Sequence, residues 1–373
     1  MWTYAAAIAG IGLILFVLVD AFETILLPRT ITRGLRLTRL FYRSTWGPWA
    51  ALGRRLSAGP WRETWLSFFG PLSIVLLTGF WAAGLIFGFG VLQWVLAPEG
   101  HRPQDLGAGL YLSGNLFFTL GLGDVNPHTH VTRSLAVLEA GLGFGFLASI
   151  IGYLPVIYAG FARREILILR MDVRAGSPPT AGELLRQHGH RGDARDLDQL
   201  LRDCESWAAE LLESHVSYPV LCLYRSQHRD QSWLATLTTI LDTCALLIVG
   251  VEGLESKQAP ITFAMARRAV IDLAHLFQRT PTSDTKLPDR LPAAELARLR
   301  RLLARDAQIR VGRDADEKLT RLRATYEPSA HGLAEFMLMP LPPWMPPPDR
   351  ADQPTSAAEM FFEEEGATDV STV

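Results

Sequence analysis

The sequence predicts an all-α membrane protein: an extra N-terminal membrane helix, a unit of two membrane helices with a re-entrant segment between them, and a helical C-terminal cytoplasmic domain. Three apolar stretches, at residues 4–27, 66–97 and 135–161, are each long enough to cross a hydrocarbon core of roughly 30 Å. The hydrophobic content of 49% and the net charge of -2 are averages over the whole chain, whose first part is apolar and whose remainder is charged. We expect five segments, at 1–27, 28–65, 66–161, 162–340 and 341–373.

The distribution of charge predicts the topology. No lysine or arginine precedes the first apolar stretch, and Asp20 and Glu23 stand where a signal peptide has small residues, so we expect this stretch to be retained. Basic loops stay cytoplasmic, and the linker at 28–65 has a single acid, Glu63. Its arginines are Arg29, Arg33, Arg36, Arg39, Arg43, Arg54, Arg55 and Arg62. We expect a multi-pass membrane protein with its N-terminus outside and its C-terminus cytoplasmic.

The arginine-rich linker has two interpretations. Three of its arginines recur at every third residue from position 33, as in a voltage-sensing helix, but Gly47-Pro48 interrupts the segment and several acidic helices would have to precede it. An amphipathic helix on a membrane surface needs only basic and aromatic residues, so we favour an interfacial helix whose partner is anionic lipid. Asp20 and Glu23 lie at the same end of the first helix and are expected to pair with these arginines.

The sequence Thr-Leu-Gly-Leu-Gly-Asp at 119–124 lies between a short apolar run and the third long one. A Gly-x-Gly-Asp string occurs in two membrane chemistries, the filter of potassium-type pores and the catalytic site of intramembrane aspartyl proteases. A protease needs two carboxylates that share a proton. Asp20 is expected at the inner face and Asp124 at the outer face, so the protease is the least favoured interpretation.

The same residues suit a pore. Glycines at alternate positions, Gly121 and Gly123, permit the positive φ values that a backbone needs to turn successive carbonyls toward one axis. Thr119 can add a hydroxyl at the inner end, and Asp124 places negative charge at the outer mouth. Residues 110–118 are too short to span the membrane, and we expect a descending helix whose C-terminal dipole favours a cation.

Residues 66–161 resemble the bacterial potassium channel family with two membrane helices and one pore loop. Its YxS and TLGYGD patterns are matched at Tyr111, Ser113, Thr119, Leu120, Gly121, Gly123 and Asp124. The resemblance implies a homotetramer with a selectivity filter at 119–124 and potassium as the permeant ion, without enzymatic activity, cofactor or nucleic-acid partner. The chain differs at Leu122, which replaces the usual filter tyrosine, and at Phe118 and Leu116, which replace threonines.

The third apolar stretch contains residues that suit either a gate or close packing. Gly141, Gly143 and Gly145 permit bending or contact, and Pro155 removes a helical hydrogen bond near the cytoplasmic end. Such residues also serve packing alone in membrane helices, so both roles stay open. Glu139 is costly in lipid and must face protein or water. We expect it to form a hydrogen bond behind the filter, with a titratable gate as the alternative.

The C-terminal part is predicted to be a soluble helical domain followed by a disordered tail at 341–373. Candidate helices lie at 193–216, 219–254, 261–277 and 293–309. Residues 233–251 are apolar enough for a fourth span, but Asp242 and a 3,4 spacing of apolar residues favour the buried centre of a bundle. The odd number of cysteines favours free thiols, at Cys204, Cys222 and Cys244.

These observations favour a cation channel whose C-terminal domain assembles or gates it. The alternative of a different class is a membrane scaffold or sensor with a degenerate pore loop. Nothing in the sequence identifies a gating stimulus, since the Gly-rich run within the third stretch follows no strand and lacks the spacing of a nucleotide-binding fingerprint.

Overall fold

The computed structural model describes residues 2–27, 36–97, 103, 105–191, 194–227, 231–279, 287–304, 309 and 312–346. Apart from an isolated bridge between Val251 and Ile309, every regular element in these ranges is helical, which confirms the all-α prediction. The chain divides into two compact units, Met1–Ala159 and Gly160–Val373.

Within the described residues, three helices are long and apolar enough to cross a membrane, as predicted. They are α1 (Trp2–Ile25), α3 (Pro60–Leu96) and α5 (His130–Ala175), with α2 (Leu37–Arg55) and α4 (Leu106–Phe117) between them. α5 extends beyond the predicted 135–161, because Leu167, Ile168 and Met171 of its charged extension are buried. Apolar residues at helical spacing therefore continue past the membrane stretch.

The extra N-terminal helix packs closely on α3. A Cβ added to Gly88 would lie 2.6 Å from Cγ1 of Ile14, and one added to Gly10 would lie 3.1 Å from the carbonyl oxygen of Gly88. Ile14 belongs with Trp81 to the apolar core of this unit. Small residues let membrane helices approach one another in this way. α1 is thus an integral part of the first unit.

Asp20 joins three helices. It is 3% exposed, and its carboxylate accepts hydrogen bonds from Trp81 Nε1 at 2.9 Å, from Thr38 N at 3.0 Å and from Thr38 Oγ1 at 2.6 Å. Thr38 lies in the first turn of α2, so Asp20 provides an acceptor there like that of a capping side chain. For Asp20 the predicted pairing with arginines stays a prediction, because Arg29 and Arg33 lie outside the described residues. It is confirmed for Glu23, whose Oε2 lies 3.7 Å from Arg36 Nε.

α2 continues through Gly47-Pro48, so the predicted interruption is wrong. A proline inside a helix removes one hydrogen bond and crowds the preceding turn. Aromatic packing on α3 offsets this cost, since the ring of Trp46 lies 4.8 Å from that of Phe69 and the ring of Trp49 lies 4.1 Å from that of Trp65.

The second unit contains further helices. They are α6 (Ala181–Arg191), α7 (Ala194–Ser217), α8 (Trp233–Val249), α9 (Ala259–Leu276), α10 (Ala293–Leu303), α11 (Arg313–Ala324) and α12 (Glu327–Met337). The predicted single helix at 219–254 is wrong. A 3₁₀ helix, Pro219–Leu223, comes first, and Ser232 begins α8 anew by accepting a 3.0 Å hydrogen bond from Ala235 N. The sequence analysis does not predict helices α6, α11 and α12, which are only 11, 12 and 11 residues long and so fill barely the shortest window in which helical periodicity is recognised.

α8 is the buried centre of this unit, as predicted. Every residue of α8 except Ile248 is buried within the protein. Its acid, Asp242, accepts hydrogen bonds from both terminal nitrogens of Arg290, at 3.2 and 2.6 Å, and from the Tyr326 hydroxyl at 2.5 Å. Protein rather than lipid therefore surrounds this apolar helix.

The predicted disordered tail is wrong at its beginning. Trp344 and Met345 are buried, and the carbonyl oxygen of Trp344 accepts a 2.8 Å hydrogen bond from Gly182 N at the start of α6. The apolar residues between the prolines pack against the protein. The prediction of disorder rested on the proline content and did not take these residues into account. Residues 347–373 lie outside the described ranges.

The three cysteines are free thiols, as predicted, and all are buried. Burial raises the pKa of Cys204 to about 12. The thiolate is the nucleophilic form of cysteine, so this thiol is inert near neutral pH.

Candidate functional site

The re-entrant segment begins with α4. Asp105 caps this helix by accepting a 2.7 Å hydrogen bond from Ala108 N, which makes the helix start earlier than the predicted residue 110. A Cβ added to Gly109 would lie 2.9 Å from the carbonyl oxygen of Gly90 in α3. Backbone contact therefore holds α4 on its neighbour. The C-terminal end of α4, with its partial negative charge, adjoins the loop that follows.

The loop after α4 contains three left-handed backbone positions. The φ angle is 53° at Thr119, 69° at Gly121 and 75° at Gly123. Both glycines thus adopt the predicted positive φ. Thr119 is strained, since a β-branched residue rarely has positive φ. Left-handed positions alternate here with ordinary ones, a pattern that permits successive carbonyls to face one side.

Three side chains hold this loop, and sequence reasoning found one of them. Tyr111, singled out in the YxS pattern, donates from its hydroxyl to Asp124 Oδ1 at 3.2 Å. The amide of Asn115, 6% exposed, accepts a 3.3 Å hydrogen bond from Leu122 N. Asn126 Nδ2 donates to the carbonyl oxygen of Gly123 at 2.6 Å. The two asparagines could have been found, because short amides near helix ends and turns commonly bond to nearby backbone.

Several apolar side chains of the loop are exposed in the single chain. Phe118, Leu120 and Leu122 are 57%, 59% and 60% exposed. Phe117, in contrast, is buried, and its ring centroid lies 5.7 Å from that of Phe146 in α5. Leu122 is therefore tied to the helix behind it through its main-chain N–H, while its side chain faces outward.

Glu139 lies behind α4, where we expected a hydrogen bond. It is fully buried, and its carboxylate accepts a hydrogen bond from Ser113 Oγ of α4. The same hydroxyl lies 2.8 Å from the carbonyl oxygen of Ile86 in α3. Gln93 of α3 donates to the carbonyl oxygen of Thr132 in α5 at 3.4 Å. These contacts join α3, α4 and α5 and confirm the hydrogen bond, while the titratable gate stays a prediction.

The glycines of α5 differ in their surroundings. A Cβ added to Gly143 would lie 2.1 Å from the carbonyl oxygen of Phe117, so only glycine fits where α5 crosses the end of α4. Around Gly141 and Gly145, no described atom comes within 4 Å of an added Cβ. α5 remains helical through Pro155. Gly143 therefore has a packing role, and a gating role for the other three residues stays a prediction.

The groups available for a ligand are oxygens. Among the described residues, no group of three or more His, Cys, Asp or Glu side chains could hold a metal ion. The loop offers main-chain carbonyls, the Thr119 hydroxyl and the exposed Asp124 carboxylate. Neutral oxygen donors with one nearby acid suit a weakly bound, partly dehydrated cation better than a tightly held transition metal.

α4, the loop that follows it and the first part of α5 lie in a segment that matches a protein family. Residues 74–157 match a family model described as ion channel. The match falls inside the segment at 66–161 and confirms the resemblance to channel pore units. It supports an ion channel located in a membrane.

A second comparison concerns a larger part of the chain. The chain is 24% identical over 211 residues to YdjJ, an uncharacterized membrane protein of Bacillus subtilis (strain 168). The alignment covers 53% of this chain and 61% of the relative, so the chain spans less than two thirds of that protein's length. No solved structure matches the chain.

Proposed function

We propose that this chain is the subunit of a homotetrameric cation channel that prefers potassium, with residues 119–124 as its selectivity filter. The observation that carries the proposal is the loop backbone, where left-handed positions at Thr119, Gly121 and Gly123 alternate inside a segment that matches an ion channel family. Rings of main-chain carbonyls can replace the hydration shell of a potassium ion. The permeant ion is the one ligand that this proposal requires.

A tetramer follows from the number of loops. One chain supplies one loop, whereas a filter of this kind is built from four. The exposed apolar side chains of Phe118, Leu120 and Leu122 are suited to contact with neighbouring copies. Four copies of Asp124 would raise the local concentration of cations at the outer mouth.

The proposed orientation places the N-terminus outside and the linker at 28–65 at the inner face of a bacterial inner membrane. It rests on the excess of arginine in the linker. The second unit would then lie in the cytoplasm, where it assembles or gates the pore.

Two other functions compete with the channel. A scaffold or sensor with a degenerate pore loop would form tetramers that conduct no ions. An aspartyl protease would need a second carboxylate beside Asp124. Asp20, the acid considered for that role, instead accepts hydrogen bonds from Trp81 and Thr38, which favours the channel.

A glycine pair tests the proposal. Gly121→Ala should abolish potassium flux into proteoliposomes, because a residue with a Cβ resists the φ of 69° and the cost, about 1–2 kcal/mol per copy, is repeated around the filter. Gly12→Ala makes the same chemical change in α1, where no described atom lies within 4 Å of the new Cβ. It should leave flux unchanged. Tight vesicles with native tetramers would favour the scaffold. Full flux with Gly121→Ala would instead show that residues 119–124 are not the selectivity filter.

A further inference from the structure

Helices α2 and α3 enclose an apolar groove in the first unit. Its volume is about 370 Å³, within the range of roughly 300–1,000 Å³ that is typical of ligand pockets. The groove is lined by Phe41, Pro48 and Leu52 of α2 and by Phe69, Leu72 and Leu76 of α3. Leu52, Leu72 and Leu76 are also exposed, so the groove opens to the surface of the unit.

Two tryptophans line this groove toward the turn that joins α2 to α3. The rings of Trp49 and Trp65 are stacked, with centroids 4.1 Å apart and an interplanar angle of 12°. Each indole N–H donates to the main-chain carbonyl of the other residue, at 3.2 and 3.3 Å. Tryptophan is enriched at the boundary between hydrocarbon and water. This end of the groove is therefore suited to the level of lipid headgroups.

Basic residues lie beyond this end of the groove, along both helices. Arg62 lies one helical turn before Trp65 on the same face of α3, and Arg54 and Arg55 end α2. Arg62 Nε is buried and has no hydrogen-bond partner among the described residues. A buried donor without an acceptor is costly, and phosphate is an acceptor that guanidinium groups bind well. The groove thus has apolar walls, and a guanidinium with one unsatisfied N–H lies one helical turn from the tryptophan at its end.

We propose that this groove binds one anionic phospholipid per chain, with an acyl chain between α2 and α3 and the phosphate at Arg62. The walls complement the acyl chain, and the excess of arginine over acid in this linker complements the negative headgroup. A discrete site differs from adsorption of α2 to an anionic surface, because it binds a fixed number of molecules and depends on Arg62 in particular. The site does not require the chain to conduct ions.

Native mass spectrometry of the full-length protein, delipidated in detergent, tests this site. We expect phosphatidylglycerol to bind at one molecule per chain. Phosphatidylcholine has the same phosphate, but its choline cation cancels the headgroup charge that the arginines attract, so it should bind about tenfold more weakly. Arg62→Gln should weaken phosphatidylglycerol binding by a similar factor. Arg43→Gln, an exposed arginine of α2 that does not line the groove, should leave it unchanged.

A second pair of variants tests the groove itself. Ser44→Phe adds a ring to the groove wall and should abolish lipid binding, whereas Ser67→Phe makes the same change on another face of α3 and should not. If Ser44→Phe does not fold, the two arginine variants still decide the question. Three results would each overturn the proposal. They are equal binding of the two lipids, displacement of the bound lipid by inorganic phosphate alone, and a native assembly that binds no lipid because neighbouring copies cover the groove.

Discussion

At the scale of single residues, glycine has two distinct uses in the pore unit. Gly121 and Gly123 provide backbone conformations that a side chain would oppose. Gly143 provides space, since its added Cβ would lie 2.1 Å from the carbonyl oxygen of Phe117. The first use sets the path of the loop backbone. The second allows α5 to cross closely over the end of α4.

Gly143→Ala should destabilise the protein more than a typical overpacking substitution, which costs about 1–3 kcal/mol, because the clash is with backbone rather than a movable side chain. Gly152→Ala lies in the same helix, where no described atom comes within 4 Å of the new Cβ. Alanine is the better helix former, so this control should keep or raise the melting temperature. Thermal unfolding in detergent measures both. Equal melting temperatures for the two variants would contradict the close crossing of α4 and α5.

At the scale of elements, α8 shows how an acid is accommodated in a buried apolar helix. Asp242 is fully buried and is paired with Arg290, which is 8% exposed in its side chain. Burial alone would lower the pKa of Arg290, but the contacts with Asp242 raise it, so the guanidinium stays charged. Glu327 lies 3.3 Å from the same arginine. The group is therefore a connected ionic network rather than an isolated charge, in which Arg290 Nε has no hydrogen-bond partner among the described residues.

Arg290→Gln should reduce the free energy of unfolding by about 3–5 kcal/mol, because it leaves the Asp242 carboxylate buried without its charged partner. Arg268→Gln is the matched control. Its ion pair with Asp272 is exposed, and such pairs contribute only about 0–1 kcal/mol. Urea unfolding of the full chain, followed by tryptophan fluorescence, compares the two. Similar losses in both variants would show that the network does not stabilise α8.

At the scale of the whole molecule, the sequence predicts best what local physics determines. The three spans follow from the thickness of the hydrocarbon core, and the positive φ of Gly121 and Gly123 follows from their alternate spacing. The partners of Asp20, the crowding at Gly143 and the pairing of Asp242 depend on residues far away in the chain. Periodicity and composition have no information about such contacts, which is why they emerge only from the structure.

The loop that we propose as the filter was likewise predictable in part. The pattern at 119–124 identified the loop and the apolar residue at position 122, but not the hydrogen bond from Leu122 N to Asn115. A filter tyrosine would add a hydroxyl bond worth about 0.5–1.5 kcal/mol. Leu122 cannot supply that bond, so we expect a potassium preference that is weaker than in a variant with tyrosine at this position.

The reversal potential of purified protein in a planar bilayer, with potassium on one side and sodium on the other, tests the central claim most directly. For the native tetramer we predict a cation current whose reversal potential is shifted from zero toward the potassium equilibrium potential. Leu122→Tyr should shift the reversal potential further in the same direction. A tetramer that carries no current, or one whose current reverses at the chloride potential, would contradict the channel.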